Sequence, residues 1–150
     1  GSIVHYFLEH YLFEPSFESI EARFKEFGLP TKLIQSYSKA ASLLLLNTKR
    51  DKDFEWLFKY RDSTEVEAEY SNASKTVIID RLFIEDDTLW IIDFKTASPN
   101  DGESMSSFIG RQKHSHQKQI KIYQEVLDDF FKLPSKAALY CPAASQLIII

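Results

Sequence analysis

Val77-Ile78-Ile79-Asp80-Arg81-Leu82 and Trp90-Ile91-Ile92-Asp93-Phe94-Lys95-Thr96 are the two stretches from which the fold can be read. Both are rich in β-branched and aromatic residues, and Glu85-Asp86-Asp87-Thr88 between them is turn-like, so together they predict an antiparallel hairpin. Centring the turn on Asp86-Asp87 sets Glu85 opposite Thr88, and the same register places Asp80 opposite Asp93. Directly opposed side chains have Cβ atoms about 4.5–5.5 Å apart, and like charges there repel unless a cation lies between them. Period-two alternation adds Lys95 to the face of Asp93, so Asp80, Asp93 and Lys95 form one expected cluster. Ile78, Leu82 and Ile91 share that face, while Ile79, Phe83, Trp90, Ile92 and Phe94 line the other, which predicts cover on both sides. A fully solvated charged face fits that pattern poorly. Carboxylates paired in a part-buried setting need a proton or a metal, and a divalent cation held by oxygen ligands is the natural solution.

The remainder of the chain bounds the answer. A length of 150 residues fits one domain, and 44% apolar with 27% charged residues is ordinary globular composition. The net charge of −4 argues against a globally basic nucleic-acid binder, so any polyanion site must be local or fed by a larger assembly. A single cysteine, Cys141, excludes an internal disulfide and leaves no cluster for zinc or an iron–sulfur centre. These features suit a cytoplasmic protein. No membrane association is expected, because the Leu43–Leu46 run is far shorter than the roughly 20 apolar residues needed to span a bilayer. The opening Gly1-Ser2 and the closing Ile148-Ile149-Ile150 suggest a domain excised from a longer protein.

Along the chain, Ile3 to Phe13 reads as a largely buried helix with Ser2 placed to cap it. His5 on that helix is either a satisfied core group or a ligand. A second helix runs from Phe17 to Phe27, stopped by Gly28 and Pro30. A third runs from Thr31 to Asn47, with Leu33, Ile34, Tyr37, Ala40, Ala41, Leu44 and Leu45 inward. Lys49, Arg50 and Lys52 form a short basic cluster, solvated or in contact with phosphate. Asp53 to Tyr60 suits a short helix, and Thr64 to Tyr70 a strand beside the hairpin. Its three glutamates, Glu65, Glu67 and Glu69, share one face, either as a charged edge or as a contributor to the acidic cluster. Ala97 to Lys113 lacks periodicity and reads as a long loop in which Phe108, Arg111 and Lys113 face a polyanion. A helix over His114–Phe131 turns Gln119 inward on the face of Tyr123, Val126 and Phe130, where it requires partners. Two short strands, Ala137–Tyr140 and Leu147–Ile150, flank a turn at Pro142.

Five segments now stand in order: Gly1-Ser2-Ile3-Val4-His5, Glu67-Ala68-Glu69-Tyr70, Val77-Ile78-Ile79-Asp80-Arg81, Asp93-Phe94-Lys95-Thr96 and Gln119-Ile120-Lys121-Ile122-Tyr123. In this order the sequence resembles the RecB-like branch of the PD-(D/E)XK nucleases, the nuclease domains attached to RecB/AddA helicases. Val77 departs from the glycine usual before Ile-Asp in that branch. The resemblance implies an α+β, α/β/α-like fold of restriction-endonuclease type, in which a central mixed β-sheet with a catalytic hairpin is flanked by helices. It implies a single nuclease domain over residues 1–150 and a Mg²⁺- or Mn²⁺-dependent deoxyribonuclease, exonucleolytic, acting in DNA recombination and double-strand break repair. Asp80, Asp93 and Lys95 are then catalytic, and His5, Asp80, Asp93 and the backbone carbonyl near Phe94 hold the metal. Glu67 (or Glu69), Gln119 and Tyr123 support the site or position DNA. The implied partners are single-stranded DNA or DNA ends, and a helicase domain of the same or a partner chain. The alternatives are a catalytically silent DNA-binding or scaffolding domain of a helicase, and an unrelated interaction domain whose acidic cluster is structural.

Overall fold

The computed structural model describes residues 1–10 and 12–150. The chain divides into two units, Gly1–Lys59 and Tyr60–Ile150.

The first unit is helical. α1 (Ser2–Glu9) buries Ile3, Val4, Phe7 and Leu8. It ends four residues before the expected Phe13, and Ser2 is its first residue rather than its cap, a place taken by Gly1. Tyr11, inside the expected helix, lies outside the described residues. α2 (Phe17–Glu26) is capped by Ser16, whose hydroxyl accepts from the Ser19 amide at 3.1 Å. Gly28 follows at φ +75°, the left-handed geometry that stops a helix. α3 (Thr31–Lys49) packs against α2, with Phe24 edge-on to Tyr37. Its buried stripe is Ile34, Ser38, Ala41, Leu45 and Thr48. Tyr37 and Ala40, expected inward, are exposed. Lys49 of the basic cluster pairs with Glu14 at 2.8 Å. α4 (Phe54–Phe58) is short, and its Phe54 and Phe58 meet Phe13 edge-on.

The second unit is a five-stranded mixed sheet with strands in sequential order. β1 (Glu65–Ser71), β2 (Thr76–Glu85) and β3 (Thr88–Phe94) are antiparallel neighbours. β4 (Ser135–Cys141) runs parallel to β3, and β5 (Gln146–Ile149) returns antiparallel. The parallel pairing requires a long crossover, supplied by α5 (Met105–Leu127), which packs on one sheet face. Asp86 and Asp87 both have positive φ, the signature of a two-residue hairpin turn, and Glu85 pairs with Thr88 as the sequence predicts.

The face assignment along β2 needs correction. Val77 and Ile79 share a buried core with Leu82, Leu89 and Ile91, whereas Ile78 is 57% exposed. Strict alternation cannot put Ile79 and Leu82 on one side, so the strand changes face between them. β1 changes face at the same place: Ala68 pairs with Ile79 and Glu65 with Leu82, and between them Glu67 has φ 46°. This non-glycine left-handed residue twists both strands around Asp80. It also breaks the single face predicted for Glu65, Glu67 and Glu69. Phe83, Ile92, Phe94, Ala138, Tyr140 and the guanidinium-bearing Arg81 are fully buried as well.

α5 begins at Met105, nine residues before the predicted His114, so Phe108, Arg111 and Lys113 are helical rather than loop residues. Ser104 caps it, its hydroxyl accepting from the Ser107 amide at 3.1 Å. The helix ends at Leu127, which leaves Phe130 outside it and half exposed against Tyr70. Ser104→Ala is expected to cost about 1 kcal/mol in urea denaturation, while Ser115→Ala, in the exposed helix interior, is neutral or slightly stabilising. Equal effects at both positions would contradict the helix start.

Candidate active site on the central hairpin

The chemistry-bearing residues of the second unit gather where the hairpin ladder stops. That ladder runs from Glu85–Thr88 to Arg81–Ile92, one rung short of Asp80 and Asp93. Instead of a ladder bond, the Phe94 amide donates to Asp80 Oδ2 at 2.6 Å. β3 then holds to β4 through the Lys95 amide, which donates to the Tyr140 carbonyl at 2.9 Å. The backbone on both sides of Phe94 is thereby fixed, and so are the origins of the Asp93 and Lys95 side chains.

Asp93 is only 3% exposed, and Lys95 Nζ lies 2.6 Å from its Oδ2. The same ammonium donates to Gln119 Oε1 at 3.2 Å, and Gln119 Nε2 donates to the Tyr123 hydroxyl at 2.8 Å. The inward glutamine therefore has its partners in the site, not in nearby backbone. Burial raises the Asp80 carboxyl to about 6, and the Asp93 charge adds to the effect. The Phe94 amide and Lys95 oppose that rise, whereas Glu67 reinforces it. Burial, and then the charges of Asp93 and Asp80, push the Tyr123 hydroxyl well above the usual phenol range.

Asp80, Asp93, Lys95, Gln119 and Tyr123 are thus brought together, with Glu67 within electrostatic reach of Asp80. The Phe94 side chain is fully buried, and its amide serves Asp80. His5 lies on α1 in the first unit, one turn before the buried Glu9, with their ligand atoms within 4.8 Å of each other. Two site neighbours escape the sequence reading. His116 of α5 is displaced below its ordinary pKa by burial and by Lys95, and raised in turn by Asp93. Cys141 of β4 is fully buried, which pushes its thiol up to about 11, again within the fields of Lys95 and Asp93. Extending the helical period of Gln119 and Tyr123 backward by one turn reaches His116. For Glu9, the signal is its i+4 spacing from His5.

From within α5, Arg111 grips the loop that follows Lys95. Its Nε and Nη2 donate to the two Glu103 oxygens at 2.9 and 2.7 Å, and Nη2 also reaches the Ser98 carbonyl at 3.3 Å. The Asn100 amide donates to Glu103 at 2.8 Å. These bonds to Arg111 and Asn100 hold the Glu103 carboxyl at about 2. Arg111 is consequently occupied by a protein carboxylate.

A family model described as the PD-(D/E)XK nuclease superfamily matches residues 1–148. The chain belongs to that superfamily. A search of curated proteins found no match. Membership in the PD-(D/E)XK superfamily implies a hydrolase of the nuclease type, with nucleic-acid binding and a divalent metal. The mixed sheet with its helices is consistent with the restriction-endonuclease-like fold of this superfamily. The residues present fit such a cation: a hard, oxygen-rich donor set in which Asp93 is buried and Asp80 is raised to about 6 by burial and then by the Asp93 charge. Among the described residues no helix is long and apolar enough to cross a membrane.

The pH behaviour of the metal-free protein follows from Asp80. Its folded-state value of about 6 exceeds the ordinary 3.8, so the folded protein holds this proton more tightly than the unfolded chain. The group therefore destabilises the fold above pH 6, and the penalty fades as pH falls from 6 toward 4. Asp80→Asn should raise stability at pH 7.5 by about 2 kcal/mol, a gain that disappears by pH 4. Added Mn²⁺ should stabilise the unmodified protein and not the variant. Thermal melts across pH with and without Mn²⁺ check both; a gain independent of pH would remove Asp80 from the coupled pair.

Proposed function

We propose that the chain is a RecB-like DNA nuclease that degrades strands from their ends, using Mg²⁺ or Mn²⁺, in recombination and double-strand break repair in the cytoplasm. The observation that carries this reading is the pair of crowded carboxylates, Asp80 and Asp93, with the Lys95 ammonium 2.6 Å from the buried one. The order of the motifs from His5 to Tyr123 supports the RecB-like branch.

Phosphodiester hydrolysis needs phosphate charge neutralised, a water deprotonated and the leaving oxygen stabilised. A divalent cation, when bound, would supply Lewis acidity and lower the pKa of its water. Asp80 and Asp93 are the carboxylates that would hold it, with the carbonyl of Phe94 as a backbone donor. The assignment of His5 as a further ligand rests on its motif. Lys95, kept in place by Gln119, is positioned to orient the attacking water or take its proton, and to offset phosphate charge. Tyr123 fixes the amide of Gln119 so that its oxygen faces Lys95. Glu67 acts through Asp80, whose proton affinity it raises. The products carry 5′-phosphate and 3′-hydroxyl ends.

With a net charge of −4, residues 1–150 are expected to hold DNA weakly, and a helicase domain of the same or a partner chain delivers the strand. Asp93→Ala should reduce degradation of end-labelled single-stranded DNA in Mn²⁺ by at least about 10³-fold, as should a chelator. Lys95→Ala should lose about 10²–10⁴-fold in turnover while keeping Mn²⁺ affinity in calorimetric titration. Wild-type rates in Asp93→Ala would sink the site assignment, and DNA binding without any cleavage by the unmodified protein would favour a silent scaffolding domain.

A further inference from the structure

His116 of α5 has no part in the scheme built on Asp80, Asp93, Lys95, Gln119 and Tyr123. Gln112, His116, Gln119 and Tyr123 follow one another at i, i+4, i+7 and i+11 and therefore form one stripe on the sheet-facing side of α5. Gln112 and Tyr123, at the two ends, are 3% and 7% exposed, whereas His116 and Gln119 are only partly buried. The two central members are the ones an incoming molecule can touch. Gln119 is committed to Lys95 and Tyr123. Neither ring nitrogen of His116 has a hydrogen-bond partner among the described residues, although the imidazole lies within the fields of both Lys95 and Asp93. Its nitrogens are not among the buried polar atoms that lack a partner, so the imidazole is open to solvent and to an incoming molecule. His114, two residues earlier, is exposed and lies outside this stripe.

Resting on the nuclease reading, we propose that His116 is a further substrate-contacting residue, its imidazole N–H donating to a non-bridging phosphate oxygen of the strand held beside Lys95. The ligand class follows from the neighbours: Gln119, one helical turn from His116, holds the Lys95 ammonium, so an anion drawn to that ammonium comes to the turn of α5 that carries the imidazole. Burial and Lys95 both disfavour the imidazolium, so at pH 7.5 the ring is neutral and offers one N–H without adding charge beside the lysine. Such a contact contributes ground-state binding and grows stronger as negative charge gathers on the phosphate.

The test uses His116→Ala and His116→Gln in the full chain. Expected for His116→Ala is a fall of about 10–100-fold in kcat/KM on single-stranded DNA in Mn²⁺, the worth of one charge-assisted hydrogen bond. Mn²⁺ affinity and the melting temperature should stay unchanged. His116→Gln, which retains an N–H donor, should recover part of the loss. Unchanged kinetics in His116→Ala would overturn the inference, as would a parallel loss of Mn²⁺ affinity or stability that glutamine does not rescue. If the unmodified protein binds a labelled oligonucleotide in Ca²⁺ but does not cut, the same variants are compared by anisotropy. About fivefold or greater weakening by alanine supports the contact, and equal affinity overturns it. If the unmodified protein neither binds nor cuts, the nuclease reading fails and the inference fails with it.

Discussion

Asp80 and Asp93 carry like charges toward each other from adjacent strands of one hairpin, and much of the second unit can be understood as a response to that repulsion. The hairpin register is set by the turn at Asp86-Asp87, where the Glu85–Thr88 pair closes the ladder. The strands therefore have no freedom to slide the two acids apart without flipping every core side chain between them. Relief comes from three directions. The Phe94 amide leaves regular pairing to donate to Asp80, Lys95 sets its ammonium against Asp93, and Asp80 takes up a proton near pH 6. The left-handed backbone at Glu67 lies at the same level of β1, but its carboxylate adds to the repulsion at Asp80 rather than relieving it.

α5 meets two demands with one face. Its C-terminal half inserts Ile120, Tyr123, Val126 and Leu127 into the core on the sheet. Toward its N-terminus the same face continues as Gln112 and His116, with the buried Phe108 and the partly buried Ile109 beside it supplying the apolar anchorage. A helix half that contributes so little hydrophobic burial needs another attachment. The capping hydroxyl of Ser104 and the forked Arg111–Glu103 pair provide it, and through Ser98 and Asn100 they also tie down the loop leading from Lys95. The lysine is thus constrained from its backbone on one side and from Gln119 on the other.

This division explains what the sequence reveals and what it hides. The hairpin, its register and the Asp80–Asp93–Lys95 cluster are legible because β-branched runs, a turn of two aspartates and period-two alternation all point the same way. The inward position of Gln119 is legible because Ile120, Tyr123 and Val126 repeat at helical spacing around it. The first nine residues of α5 are not, since a stripe made of Phe108, Gln112 and His116 carries almost no hydrophobic period. Predicted loop over 105–113 therefore proved to be helix, while His116, inside the predicted helix, drew no notice because no apolar neighbour on its stripe marks it as inward. The face change at Glu67 is invisible for a different reason. It is a single backbone dihedral in a residue with no glycine or asparagine to announce it, and it makes Ile79 and Leu82 neighbours in the core against strict alternation.

Both failures of local pattern fall beside the candidate site, and for the α5 stripe charge balance gives the reason. Asp80 and Asp93 against Lys95 leave the cluster one negative charge in excess when both acids are ionised, and Glu67 adds to the imbalance from outside. A second lysine or an arginine in α5 would have closed the deficit and stabilised the fold. Arg111, the nearest arginine along the helix, is instead committed to Glu103. The stripe offers only uncharged groups: two amides, a phenol held protonated and an imidazole held neutral. A divalent cation held there would turn the deficit of one into an excess of one, which a phosphodiester would bring to zero. A neutral polar stripe leaves that sum undisturbed while still providing hydrogen bonds, at the cost of the hydrophobic signal by which a helix is usually recognised.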